Sequence, residues 1–154
     1  KSVLLLGDIA VTATEKLLKL VESLPKNIQN EYEWIVKAHP GNPIREIDYP
    51  GLEFKQSSKP LYDLLSGFEL SIGANPTSGN LDAYLCGLRV AVHVEENGLN
   101  MSPLRGLKNV GFVKNIQDLI EFLNFADVRK HDEKMDIFYS DPTMPKWRRL
   151  LAEA

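Results

Sequence analysis

Cysteine is almost missing from this chain: Cys86 stands alone among 154 residues, so no internal disulfide can form. Neither does any Cys/His set have zinc-ligand spacing, so no metal site is expected, and the composition suits a reducing compartment. The cytoplasm is the expected location. Long hydrophobic runs are also lacking. None approaches the ~20 residues that span a bilayer, and the first residues lack the basic-then-apolar plan of a signal peptide. Basic charge is not in excess, since 18 Lys and Arg against 21 Asp and Glu leave a net charge of -3. That balance argues against a nucleic-acid partner, which needs a concentrated basic face. The first apolar run is followed by Gly7-Asp8-Ile9-Ala10 rather than Gly-x-Gly-x-x-Gly, which excludes a dinucleotide oxidoreductase. A phosphorylation receiver needs several acids at the ends of its first strands, and only Asp8 is so placed. No internal repeat or low-complexity segment is visible.

What is present is the composition of a globular protein, 44% hydrophobic and 25% charged. The length fits one domain, 1–154, able to bury roughly 68–70% of its unfolded surface. The chain opens without Met on Lys1-Ser2, directly before Val3-Leu4-Leu5-Leu6, a run that reads as a buried strand; the expectation is a domain cut from a longer protein.

Short apolar runs ending in Gly, Asp, His or Pro alternate with stretches of helical periodicity, the signature of βαβ units and a parallel sheet. Strands are expected at 3–6, 33–38, 52–55, 68–72, 89–94 and 110–113. Thr12 or Thr14 is expected to cap the first helix, with Leu17, Leu18, Leu20, Val21 and Leu24 on its buried stripe. Ser57 or Ser58 caps a helix that Pro60 opens and Gly67 ends; Thr77 to Asn80 starts another, with Gly87 in its last turn; Asn115 caps a third. The tail from Phe125 to Asp141 reads as irregular or partly helical, and a final helix runs through Trp147, Leu150 and Leu151. The fold class is therefore α/β, a Rossmann-like parallel sheet of about six strands flanked by helices.

In such a sheet, ligands collect outside the carboxyl ends of the strands, where loops converge and helix N-termini favour anions. The segments expected there are Gly7-Asp8, His39-Pro40-Gly41, Ser57-Ser58, Gly73 to Asn80, and Glu95 to Ser102. Where Gly73-Ala74-Asn75-Pro76-Thr77-Ser78-Gly79-Asn80 meets a helix, backbone N–H groups and the Thr77 and Ser78 hydroxyls suit a phosphate. Asp82, one turn farther on, suits the two hydroxyls of a ribose. An ordinary N-cap followed by a solvated acid fits the same letters. His39, where a buried strand gives way to Pro40-Gly41, can donate to a phosphate or a leaving oxygen and is the catalytic candidate. The loop from Glu95 through Asn100 and Ser102 is long and polar enough to cover a ligand. His93 reads as a core or edge residue, and Cys86 as a small buried hydrophobe.

Gly73, Thr77, Ser78, Asp82-Ala83, Gly87 and Val90 resemble the nucleotide site in the C-terminal half of GT-B glycosyltransferases; many of those enzymes carry Glu where this chain has the shorter Asp82. The resemblance covers Val3 to Leu123. Lys37-Ala38-His39-Pro40 further resembles the His-Pro motif of bacterial sialyltransferases and polysialyltransferases, with Thr77-Ser78 as the later hydroxyl pair. A similar layout occurs in CDP-glycerol glycerophosphotransferases and surface-carbohydrate biosynthesis proteins. The resemblance implies the C-terminal half of a longer two-domain enzyme acting in surface polysaccharide or lipopolysaccharide biosynthesis. That half would bind a CMP- or CDP-type nucleotide-sugar as substrate, with no cofactor. The other half of the chain would supply the acceptor site, for a glycan or lipid-linked acceptor, and the catalytic base. Lys146, Arg148 and Arg149 around Trp147 suit a last helix that packs on that half or docks on its own domain, and their basic face also suits peripheral contact with anionic lipid at the inner face of the membrane. Two alternatives share the same residues: a non-catalytic sugar-nucleotide-binding module, and the nucleotide half of a GT-B-like epimerase.

Overall fold

The computed structural model describes residues 1–124 and 143–152. The expected tail from Phe125 to Asp141 and the side chain of Trp147 lie outside the described residues. Strands β1 (Ser2–Leu6), β2 (Glu33–Lys37), β3 (Lys55–Gln56), β4 (Leu70–Ala74), β5 (Arg89–His93) and β6 (Val110–Val113) form one sheet. Its order is β3-β2-β1-β4-β5-β6 and every pairing is parallel. This is a Rossmann-like α/β fold, and its strand order reverses direction between β1 and β4. Helices α1 (Val11–Glu22), α2 (Lys26–Gln29), α3 (Leu61–Leu65), α4 (Gly79–Leu85) and α5 (Ile116–Asn124) connect or follow the strands, and α6 (Pro145–Ala152) comes last. No described helix is long and apolar enough to cross a membrane.

The apolar runs of β1 and β5 have no polar alternation because both sheet faces are covered. On one face, Val3, Leu5, Ile72, Ala74 and Ala91 pack with Leu17, Leu18 and Val21 of α1 and Leu119 and Leu123 of α5. On the other, Leu4, Leu6, Val90 and Val92 pack with Leu64 and Leu65 of α3 and Ala83 and Tyr84 of α4. Truncating a fully buried leucine such as Leu4 or Leu5 to Ala would cost about 2–5 kcal/mol.

Several expected boundaries move. The third strand is Lys55–Gln56 rather than 52–55; Leu52 and Phe54 are buried but pair with no strand, serving as plugs under the sheet edge beside Tyr49. The fourth strand is 70–74 rather than 68–72, so Gly73 and Ala74 belong to the ladder instead of the turn. Neither Thr12 nor Thr14 caps α1, which starts at Val11 after Ala10. Ser57 and Ser58 do not cap α3, which follows Pro60; the Ser57 hydroxyl instead accepts the Lys59 N–H at 3.3 Å. Helix α4 ends at Leu85, and Gly87, just beyond it, takes a φ of 86° that lets Leu88 N–H reach the Ala83 carbonyl at 3.0 Å. Cys86 is exposed at that helix end, not buried. Asn115 does accept the Asp118 N–H at 3.0 Å, and the Asp118 carboxylate accepts the Lys114 N–H at 2.8 Å, closing the start of α5.

Candidate functional site at the sheet switch point

Because β2 and β4 flank β1 and all three run parallel, the segments after them emerge on one edge, their ends about 10 Å apart across β1. Side chains then tie these segments together. The Thr77 hydroxyl donates to the Gly7 carbonyl at 3.3 Å, joining the post-β4 turn to the post-β1 turn. Asn42 donates its amide to the Asp8 carbonyl at 2.9 Å, joining the post-β2 loop to the same turn. Thr14 of α1 completes the knot: its hydroxyl accepts the Asp8 N–H at 2.8 Å and lies 3.1 Å from the Asp8 carbonyl. His39 and the turn carrying Thr77 therefore share a rim, with Gly7-Asp8 between them.

Within that rim the expected residues divide into two groups. His39 is half-buried. Its Nδ1 accepts the Gly41 N–H at 3.0 Å, which leaves Nε2 as the protonated nitrogen, and its carbonyl accepts the Asn42 N–H at 2.9 Å. Pro40 is exposed beside it. Ser78 and Asp82 are exposed four residues apart, and the Ser78 side chain makes no cap bond to α4. These can reach a ligand.

The others serve the scaffold. The Asp8 carboxylate accepts the Ala10 N–H at 2.8 Å and is buried, so it shapes its own turn instead of offering itself to a nucleotide. Asn80, expected among the nucleotide contacts, is 1% exposed and donates to the Ala74 carbonyl at 2.8 Å, beneath the rim. Gly73 is there to admit it: a Cβ on Gly73 would stand 2.0 Å from Asn80 Oδ1. Gly79 is buried between Leu61 and Leu6. Thr77 spends its hydrogen on Gly7.

The loop after β5 is held from the same rim. Asn75 donates to the Leu99 carbonyl at 2.7 Å and accepts the Met101 N–H at 3.2 Å, so both ends of its amide are committed to this loop. Glu95 pairs with Lys16 of α1 at 2.6 Å, and that contact holds its carboxyl below the usual range. Asn100 accepts the Ser102 N–H at 3.0 Å; Ser102, 1% exposed, accepts the Leu104 N–H at 3.2 Å. Ser102 thus braces the loop from inside and is not a donor contact. Residues 57–58, though also post-strand, lie at the β3 edge of the sheet, away from β1 and β4.

Sequence reasoning missed three participants. Thr14 looked like a cap, and Asn42 like one letter of a turn. His93, the last residue of β5, borders a cavity of about 260 Å³ on the same edge. Among the described residues no group of three or more His, Cys, Asp or Glu could hold a metal ion. A cavity of about 330 Å³ among Ser2, Tyr32, Gly67 and Arg89 lies at the opposite, amino-terminal edge, where open α/β sheets do not converge loops. No protein-family model, curated protein or solved structure matches this chain.

Proposed function

We propose that this chain is the nucleotide-sugar-binding half of a two-domain glycosyltransferase of GT-B architecture, holding a phosphorylated nucleoside at the β1/β4 switch point. One observation carries the reading: Thr77 and Asn42 tie the post-β4 and post-β2 loops to Gly7-Asp8, so His39 and the start of α4, with Ser78 and Asp82 exposed on it, stand on one edge of the sheet. Ligands of open α/β sheets bind at that location. The residues have a division of labour that suits the ligand. His39 Nε2–H donates to a phosphate oxygen, the Ser78 hydroxyl adds a second donor, and Asp82 accepts from the ribose hydroxyls.

Transfer breaks the bond between the sugar's anomeric carbon and the phosphate oxygen, and negative charge grows on the departing nucleotide. A donor whose orientation is fixed in advance, as the Gly41 N–H on Nδ1 fixes the His39 ring, would lower the barrier by meeting that charge. The acceptor and its base would come from the other half of the enzyme, and the acceptor is a glycan or lipid-linked glycan of a surface polysaccharide. On this reading the enzyme works at the inner face of the membrane, with Arg148 and Arg149 of α6 exposed for anionic lipid or for the other half.

Calorimetric titration of the chain with CMP, CDP and UDP tests the reading. Binding is expected to weaken about tenfold or more in H39A, the loss of one hydrogen bond to a charged group, and to weaken less in S78A. Failure of all three nucleotides to bind, or an unchanged affinity in H39A, would overturn it.

A further inference from the structure

We infer that the outermost strand β6 is an interaction surface for a second copy of this chain, the two strands pairing antiparallel about Gly111. This rests on no assumption about what fills the switch point. The two outermost strands of the sheet are built differently. β3 consists of Lys55 and Gln56, both exposed, and Lys55 pairs with Glu33 at 2.7 Å; a short, charged outer strand of this kind discourages further pairing. β6 reads Val-Gly-Phe-Val, uncharged and without proline, and among the described residues only β5 pairs with it.

The Asn109 carbonyl accepts the Val90 N–H at 3.2 Å and the Val113 carbonyl accepts the Val94 N–H at 2.9 Å, so both carbonyls face β5. Alternation along the strand then turns the N–H and C=O of Val110 and Phe112 away from the sheet. An open groove of about 690 Å³ runs beside residues 108–113, and Asp118, Glu121 and Phe122 of α5 form its other wall. Pairing centred on Gly111 sets Val110 of each copy opposite Phe112 of the other, so every outward N–H meets an outward C=O. Each such pair also places a β-branched side chain beside an aromatic one, a favourable cross-strand combination. Gly111 meets Gly111 on the axis, at a position without hydrogen bonds where strands approach most closely. A larger residue there is already refused by the chain's own packing, since a Cβ on Gly111 would stand 2.7 Å from Phe122 Cδ2. The Asp118 carboxylate accepts the Lys114 N–H at 2.8 Å, which ends the pairing at that point. In this register Lys108 of one copy lies opposite Lys114 of the other, with Asp118 as the countercharge beside them.

Sedimentation equilibrium of the full chain from micromolar to millimolar concentration, with amide hydrogen exchange followed across the same range, tests the surface. A dimer is expected, and exchange at the Val110 and Phe112 amides should slow as it forms. F112P removes an outward N–H without touching the ladder to β5, so the dissociation constant should rise about tenfold or more. Lys108 is exposed, and K108E replaces like charges by unlike ones across the pair; it should lower the dissociation constant about threefold or more. Association through another face would not respond in that direction. A chain that stays monomeric, or a dimer indifferent to K108E, would overturn the proposal. So would slow exchange of both amides in the monomer, which would show that the chain itself covers the strand. Should F112P fail to fold, K108E and the wild-type exchange decide. Nucleotide titration reports at His39, Gly41 and Ser78 instead, so this surface and the switch-point site can fail independently.

Discussion

At the scale of single residues, the rim is held by side chains whose letters suggest other duties. Thr14 sits where a helix cap is expected, yet its hydroxyl serves the Asp8 N–H and carbonyl, and Asn42 converges on the same point at 3.3 Å. Thr14→Val keeps the shape and removes the hydroxyl, leaving the buried Asp8 N–H without an acceptor, so a loss of about 1–3 kcal/mol is expected in urea denaturation. Gly73→Ala should cost about 1–3 kcal/mol by overpacking, because its Cβ meets Asn80 at 2.0 Å. That variant should also perturb the post-β4 turn, visible as amide shifts at Asn75 and Thr77, since Asn80 holds the Ala74 carbonyl. No reading of the linear sequence pairs Gly73 with Asn80 in this way, because the contact exists only once the strand has ended and the helix has folded back.

At the scale of elements, the alternation of apolar runs and helical stripes made six parallel strands legible, and five of them fall within two residues of expectation. The third strand shows the limit. Leu52 and Phe54 alternate as a strand should, but period-2 burial also describes an extended segment that plugs a core without a ladder partner, and here the pairing begins at Lys55. Caps were legible where the partner is local, as at Asn115, and illegible where a tertiary partner takes the hydroxyl, as at Thr14. The loop after β5 was visible as long and polar; its attachment through Asn75 was not. Asn75→Ala should release it, with faster hydrogen exchange at the Met101 amide and little change in global stability, since the bonds lie at an exposed edge. Exchange at Met101 equal to wild type would show that the loop is held by other means.

At the scale of the whole molecule, the parallel pairing brings the carboxyl ends of all six strands to one edge, where open α/β sheets hold their ligands. The acid response should reflect a buried group on the same edge. Burial holds His93 below its usual range in the folded chain, so as pH falls through about 6.5 the unfolded chain takes up a proton first. Stability is full above that pH and declines below it until the folded ring also titrates. H93Q should lose this part of the decline when urea midpoints are compared between pH 7.5 and 5; parallel curves would contradict it. On the proposed reading, the post-β1, post-β2 and post-β4 segments form one nucleotide-binding rim. Amide NMR of the chain titrated with CDP tests it most directly. Shifts are expected to concentrate at Gly7, His39, Gly41, Ser78 and Asp82; shifts confined to the opposite edge around Ser2, Glu31 and Gly67 would show that the rim does not hold the nucleotide.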